Sequence, residues 1–348
     1  MSVYETAAEI FPSPEEKKAL KKRYNIAGLA IVADLVIFQV ISRLFLLAVG
    51  LLTGADGSIL DIIASGQEKV ISNDYTSVLF SIGFPILAEI TAIVIGIRML
   101  NIDIKSRIGR NGYNLAEIAG GTTLGFFLQT AAVVVIMIIF LLFKGGTEEV
   151  TENVITQKES LGANIVMYFY VCIFGPILEE LLFRGVVLEA VRPYNERFAI
   201  VFSSLIFGIM HGNISQAVNG FLIGLVLGAL YVRSGSLVPS TVMHMLMNSV
   251  TSVVAVMMYS NPNLVEELTS GSFEALAGLP AAGIVINLAI RVITFPAGIA
   301  IIAVTASKGF GLRKANAAGK SRAASLVFSS PAWIAVIIGY AAVIAVNF

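Results

Sequence analysis

Runs of about 20 predominantly apolar residues recur along this chain from end to end. Each run is long enough to cross a hydrocarbon core of ~30 Å as a helix that rises ~1.5 Å per residue. Of the 348 residues, 57% are hydrophobic and 13% are charged, and the mean hydropathy is +0.86. A soluble domain carries roughly a quarter charged residues. The sequence therefore predicts an all-α fold, a polytopic bundle of transmembrane helices.

The positions of the apolar runs predict eight or nine spans. They lie near residues 26–52, 77–100, 114–143, 162–190, 198–211, 214–232, 237–259, 275–305 and 331–347. The fifth run is short enough to end inside the membrane, and the eighth contains a potential helix break at Pro296.

Lysine and arginine concentrate in alternate connections between these runs. The basic connections are 13–24, 98–110, 191–197 and 306–324, together with Arg233. The other connections are acidic or poor in basic residues: 53–75, 144–160 and 260–272. By the positive-inside rule, this pattern predicts a multi-pass protein of the cell (inner or plasma) membrane with a cytoplasmic N-terminus.

The chain divides into four predicted parts. Residues 1–25 contain no apolar core, so we interpret them as a cytoplasmic segment and not as a cleavable signal peptide. Residues 26–158 are accessory transmembrane helices, 159–259 form a catalytic core, and 260–348 hold C-terminal helices with a basic cytoplasmic loop at 306–330. The formal net charge is zero, which gives no global basic field for nucleic acid. The one cysteine, Cys172, excludes an internal disulfide framework.

Two adjacent carboxylates, Glu179 and Glu180, lie inside the fourth run. An unpaired ionised carboxylate is costly in a membrane, so these residues need partners. Helical neighbours four residues apart share a face, which predicts an ion pair between Glu180 and Arg184. Glu179 is rotated by about 100° from that pair, so it is either available for chemistry or a second acceptor for Arg184. Other charges within the runs are interpreted as packed or snorkelling side chains: Asp34, Glu89 and Arg291.

Both histidines of the chain follow this carboxylate pair in apolar surroundings. His211 closes the short fifth run, whereas His244 and Asn248 share one helical face because they are four residues apart. Counted from the nearest arginines, Glu179, His211 and His244 each lie roughly 16–21 Å from the predicted cytoplasmic side. The three side chains could therefore meet in one layer.

Three motifs now stand in order on successive segments: Glu179-Glu180-x-x-x-Arg184, Phe207-x-x-x-His211 and His244-x-x-x-Asn248. Their order and content resemble the CAAX protease and bacteriocin-processing family (CPBP, or Abi), which includes the Ras-converting CAAX endoprotease. The resemblance covers roughly residues 160–257.

The resemblance implies an intramembrane endopeptidase of the glutamate type that needs no metal or other cofactor. Glu179 and His211 would hold and deprotonate a water, while His244 and Asn248 would stabilise the oxyanion. Glu180 and Arg184 would orient this catalytic layer, with Phe207 as structural support. The expected partners are the lipid bilayer and a membrane-associated peptide: a CAAX-type C-terminus, a bacteriocin or signalling-peptide precursor, or a leader.

Other functions stay open at this point. Two histidines and a glutamate also suit a catalytic zinc site, although no HExxH motif is present. Cys172 could act as a nucleophile, but nothing in its sequence surroundings would lower its pKa, and a buried core residue fits better. A protein of this fold could also be a non-catalytic scaffold, regulator or immunity protein that binds partner membrane proteins.

Overall fold

A computed structural model describes residues 14–108, 115–143, 160–193, 195–258, 278–307, 325 and 328–347. The described part folds into eleven helices. The first six are α1 (Pro14–Leu52), α2 (Ile59–Ile71), α3 (Asp74–Leu100), α4 (Ile104–Ile108), α5 (Leu115–Phe143) and α6 (Leu161–Val191). The others are α7 (Glu196–Ile209), α8 (Ile214–Ser234), α9 (Leu237–Met258), α10 (Gly278–Ser307) and α11 (Pro331–Asn347).

Seven of these helices are long and apolar enough to cross a membrane: α1, α3, α5, α6, α8, α9 and α10. Helices α7 and α11, with 14 and 17 residues, occupy the two remaining predicted segments but are shorter. Large aliphatic side chains are exposed along the long helices, as in Leu44, Leu141 and Val292, which suits surfaces that face lipid. The prediction of an all-α polytopic bundle is confirmed.

Helix α2 lies in a segment that the sequence analysis treated as a connection. Its first turn is closed by a capping box, in which the Ser58 side chain accepts from the Asp61 N–H and the Asp61 carboxylate accepts from the Ser58 N–H. These hydrogen bonds from Ser58 hold the pKa of the Asp61 carboxyl below its ordinary value. Helix α2 folds back on the second half of α1, where Gly50 and Gly66 allow the backbones to touch. It is missed by a search for spans because it is too short to be one.

Helices α6 to α9 form the centre of the bundle. Helix α7 packs along α8 and against α6, and α9 packs against both α6 and α8. Helices α1 and α3 cover one side of this centre, with α11 against α1, whereas α5 and α10 cover the side formed by α8 and α9. One continuous apolar core joins the central helices to the first side. It includes Phe183, Ile206, Leu227, Met243 and Trp333.

Helix α6 is not a regular α-helix. It contains two π-helical segments, Tyr170–Phe174 and Leu181–Leu188, which flank a single α-helical stretch at Gly175–Glu180. Wide π turns change the direction in which the following side chains project, and they occur frequently at functional sites. Both glutamates of the first motif therefore lie on the short stretch between two such distortions.

Candidate active site

The ion pair predicted within the first motif is present. Arg184 Nη1 lies 2.9 Å from Glu180 Oε1, and both side chains are almost completely buried, at 0% and 1% exposure. Arg184 also donates from Nη2 to the carbonyl of Gly224 in α8, at 3.2 Å. Its guanidinium lies 4.7 Å from the centre of the Phe207 ring. Arg184 thus joins α6, α7 and α8 at one point.

His244 contacts both glutamates. Its Nε2 lies 3.4 Å from Glu179 Oε2, and its Nδ1 lies 3.4 Å from Glu180 Oε1. Glu179 is the more accessible of the two carboxylates, with 18% of its side chain exposed against 1% for Glu180. The imidazole therefore connects a buried, arginine-paired carboxylate to one that is partly exposed.

Phe207 connects the two histidines. Its ring makes edge-on contacts with His211, at 5.2 Å between ring centres, and with His244, at 5.7 Å. The Phe183 ring packs on it at 5.2 Å. Phe207 is itself only 2% exposed. The three motifs of the sequence therefore converge on one buried aromatic ring.

His211 lies in the turn between α7 and α8. The turn is tight, and Gly212 within it has a φ of 72°, which glycine adopts readily. Helices α7 and α8 also approach closely at Gly208, where a β-carbon would overlap the carbonyl oxygen of Ala217. The Asn213 side chain caps α8 by accepting from the Gln216 N–H at 2.8 Å. His211 Nδ1 lies 2.9 Å from the Phe207 carbonyl oxygen. Since a carbonyl only accepts, Nδ1 carries a proton, and in the neutral imidazole the lone pair is then on Nε2.

Asn248 makes a contact that the sequence analysis did not anticipate. The Gly175 N–H bonds to Tyr170 O with the five-residue spacing of a π-helix. The next donor in this register would be Pro176, which has no N–H, so the carbonyl of Val171 needs another partner. Asn248 Nδ2 supplies it from α9 at 2.9 Å. A carboxamide has two N–H groups, so one remains for a ligand.

Replacing Asn248 by leucine should therefore lower the stability of the protein. The Val171 carbonyl would lose its donor inside the bundle, which costs about 1–3 kcal/mol. Thermal unfolding of the detergent-solubilised protein measures the loss. The second variant Pro176→Ala supplies a backbone N–H in the same register, so adding it should restore part of the stability of Asn248→Leu. No restoration would show that Asn248 stabilises the bundle in another way.

Other buried carboxylates lie close to the site. Asp34 and Glu89, in α1 and α3, are 3% and 2% exposed, and both interact electrostatically with Glu179. Tyr340 of α11 donates to Asp34 Oδ2 at 2.9 Å, which agrees with the interpretation of Asp34 as a packed charge. Glu89 Oε2 has no hydrogen-bond partner among the described residues. The accessory helices therefore place two further buried carboxyl groups near the first motif.

Two observations concern the alternative zinc and cysteine mechanisms. Within the part of the chain that the structure describes, no three His, Cys, Asp or Glu side chains are arranged to hold a metal ion. Cys172 is a free, half-buried thiol that lies seven residues before Glu179. Among the described residues, His211 contacts Phe207, and His244 contacts Glu179 and Glu180.

Comparisons with known proteins give two matches. A family model described as "Type II CAAX prenyl endopeptidase Rce1-like" matches residues 161–250, which run from α6 into α9. The Bacillus subtilis (strain 168) protein named "Putative membrane peptidase YdiL" is 29% identical over 135 residues. That alignment covers 38% of this chain and 54% of the relative, so the match spans about half of the relative's length. No solved structure matches the chain significantly.

Proposed function

We propose that this chain, which belongs to the CAAX protease and bacteriocin-processing family through its residues 161–250, is an intramembrane endopeptidase of the glutamate type. Membership of a membrane peptidase family rests on the comparisons. The observation that supports the glutamate mechanism is the bridge from His244 to Glu179 and Glu180, with 3.4 Å on each side. The orientation with a cytoplasmic N-terminus in the inner membrane stays a prediction.

Glu179 is the proposed general base. It is the carboxylate of the pair that water reaches, while Arg184 holds Glu180 as its counter-ion. Glu179 would take a proton from a water whose oxygen attacks the scissile carbonyl carbon. The His211 Nε2 lone pair would help to hold this water. General-base catalysis of this kind typically contributes about 10²–10⁴ in rate.

His244 and Asn248 are the proposed oxyanion donors. They share one face of α9, and Asn248 keeps a second N–H beside the one that it donates to Val171. Donors fixed in a site of low dielectric favour the negative charge that develops on the carbonyl oxygen. The C–N bond of the tetrahedral intermediate then breaks, and the proton taken by Glu179 passes to the leaving amine. Atoms and charge balance with one water consumed.

The proposed substrate is a peptide presented at the membrane. The candidates are a prenylated CAAX-type C-terminus, a bacteriocin or signalling-peptide precursor, and a short membrane-anchored leader. The described residues of α6 to α9 carry the proposed machinery, and the flanking helices are available for substrate selection or for partner membrane proteins.

Cleavage of membrane-tethered peptides by the purified protein tests this function. We expect the wild type to hydrolyse at least one class of such peptides, with rates unchanged by a chelator and by Cys172→Ser. Loss of cleavage with the chelator and its return with Zn²⁺ would replace the mechanism with a zinc one. Loss in Cys172→Ser would replace it with a thiol mechanism. A folded wild type that cleaves no peptide of any class would contradict the peptidase assignment.

A further inference from the structure

A cavity lies between α5, α7, α8 and α10, and its lining includes none of Glu179, Glu180, His211 and His244. Its volume is about 470 Å³, within the range of about 300–1,000 Å³ usual for small-molecule sites. Four polar residues line it: Glu117, Arg197, Arg233 and Thr305. Every other lining residue is Gly, Ala, Val, Leu or Ile.

The polar residues gather at one end of this cavity. Glu117 and Arg197 lie in the first turns of α5 and α7, and Arg233 and Thr305 lie in the last turns of α8 and α10. Residues at all four helix ends line this one cavity, so the four ends lie on the same side of the bundle. Helix α7 begins on the side where α8 ends. Along α5 the apolar lining continues to Leu128, eleven residues beyond Glu117 or roughly 16 Å deeper. The cavity is therefore amphipathic along the membrane normal.

The polar end carries an excess positive charge. Arg233 Nη2 lies 3.3 Å from Glu117 Oε1, so these two charges compensate each other. Arg197 is exposed, and none of the carboxylates that the structure describes forms an ion pair with it. The cavity therefore suits a ligand that has an anionic group at one end and an apolar body.

We propose that this cavity binds one anionic phospholipid, with the phosphate at Arg197 and Arg233 and an acyl chain along the apolar lining. A peptide fits poorly, since its backbone N–H and C=O groups would find no partners on an aliphatic wall. A free phosphate would leave the apolar part empty. An anionic lipid matches both ends, and arginine near the membrane surface attracts such lipids.

The cavity shares a wall with the helix that carries His244. A β-carbon on Gly121 of α5 would meet the Met243 sulfur at 3.2 Å, and Gly125 approaches Met243 and Met247. These methionines directly precede His244 and Asn248 in α9. A bound lipid would therefore support the packing of α5 against α9 and stabilise the folded protein by mass action.

Native mass spectrometry of the full-length protein in neutral detergent tests the proposal. Phosphatidylglycerol and phosphatidylcholine with identical acyl chains are titrated separately. We expect one phosphatidylglycerol to bind more tightly than phosphatidylcholine. Arg197→Gln should weaken the phosphatidylglycerol affinity about fivefold, the equivalent of about 1 kcal/mol for one surface arginine. Arg197→Lys should keep the preference for the anionic lipid.

A cavity-filling variant tests the acyl part. Gly120 lines the cavity, and a β-carbon added to it meets no atom within 4 Å, so the side chain of Gly120→Leu should occupy the cavity and abolish the binding of this lipid. Gly83 of α3 is equally unobstructed but lies outside the cavity, so Gly83→Leu is a matched control that should leave binding unchanged.

Several outcomes would overturn the proposal. Equal affinity for the two lipids would remove the role of the arginines, and retained binding in Gly120→Leu would place the lipid elsewhere. Loss in Gly120→Leu with no effect of Arg197→Gln would indicate a neutral apolar ligand. If Gly120→Leu fails to fold by circular dichroism, the Arg197→Gln and Arg197→Lys pair decides between the anionic lipid and a neutral ligand.

Discussion

Replacing Glu179 by glutamine should reduce the rate of peptide cleavage by about 10²–10⁴, the usual contribution of a general base. The variant removes the proton acceptor and keeps the shape of the side chain. It also leaves the buried pair of Glu180 and Arg184 untouched, so the protein should still fold. Cleavage rates under single-turnover conditions, together with thermal unfolding of the same preparations, measure the two effects separately.

Glu89→Gln is the matched control for this variant. Glu89 is also a buried carboxylate in a membrane helix, and it interacts electrostatically with Glu179. The two carboxylates that His244 contacts, however, are those of Glu179 and Glu180. We expect the control to keep most of the activity. Equal losses in both variants would mean that negative charge in this region matters and that no single base carries the reaction.

The same variant separates the enzyme from a scaffold. A non-catalytic membrane protein of this fold would keep its cellular function in a folded Glu179→Gln variant, because the substitution keeps the shape of the side chain and the ion pair of Glu180 and Arg184. A cellular phenotype of the null strain that Glu179→Gln rescues fully would contradict the peptidase assignment. Failure to rescue, with wild-type protein levels, would support it.

The sequence alone predicted the features that follow from regular helix geometry. The long apolar runs located the helices, and the four-residue spacing predicted the Glu180 and Arg184 pair, which is confirmed. Both predictions used the period of the α-helix and the cost of a charge in hydrocarbon, and the pair forms although Arg184 lies in the π-helical segment Leu181–Leu188. The roles of Glu179, His211, His244 and Asn248 in catalysis stay predictions.

Other contacts could not be predicted because they depend on departures from that geometry. The π turns of α6 decide which side chains face α9, and no periodic pattern encodes them. The hydrogen bond from Asn248 to Val171 exists because a π register and Pro176 leave one carbonyl without a donor. Pro176 in the middle of an apolar run was a visible signal of a missing bond. Its replacement donor required knowledge of which helix packs there.

Replacing Arg184 by methionine should destabilise the protein by about 3–5 kcal/mol, the usual loss when one partner of a buried ion pair is removed. Glu180 would remain a buried carboxylate without its counter-ion. The Gly224 carbonyl would lose its donor, and the Phe207 ring would lose its contact with the guanidinium. Methionine fills much of the same volume, so the loss reports mainly the stranded charge. Thermal unfolding in detergent measures it.

Arg192→Met is the control for this substitution at a less deeply buried ion pair. Arg192 pairs with Glu189 at 3.0 Å and with Glu196 at 3.1 Å, but its side chain is 22% exposed. Water partly screens such a half-buried pair, so the control should lower the stability less than Arg184→Met does, by about 1 kcal/mol. A similar loss in Arg192→Met and Arg184→Met would show that burial of the pair is not what makes Arg184 important.

The double variant Glu180→Leu/Arg184→Met separates stability from support of the site. With both charges replaced by apolar side chains, no stranded charge remains, and most of the lost stability should return. Activity should not return, because His244 Nδ1 would lose the carboxylate 3.4 Å away that orients its ring. A double variant that regains both would show that Glu180 and Arg184 only hold the helices together. Recovery of stability without activity would identify them as the residues that position His244.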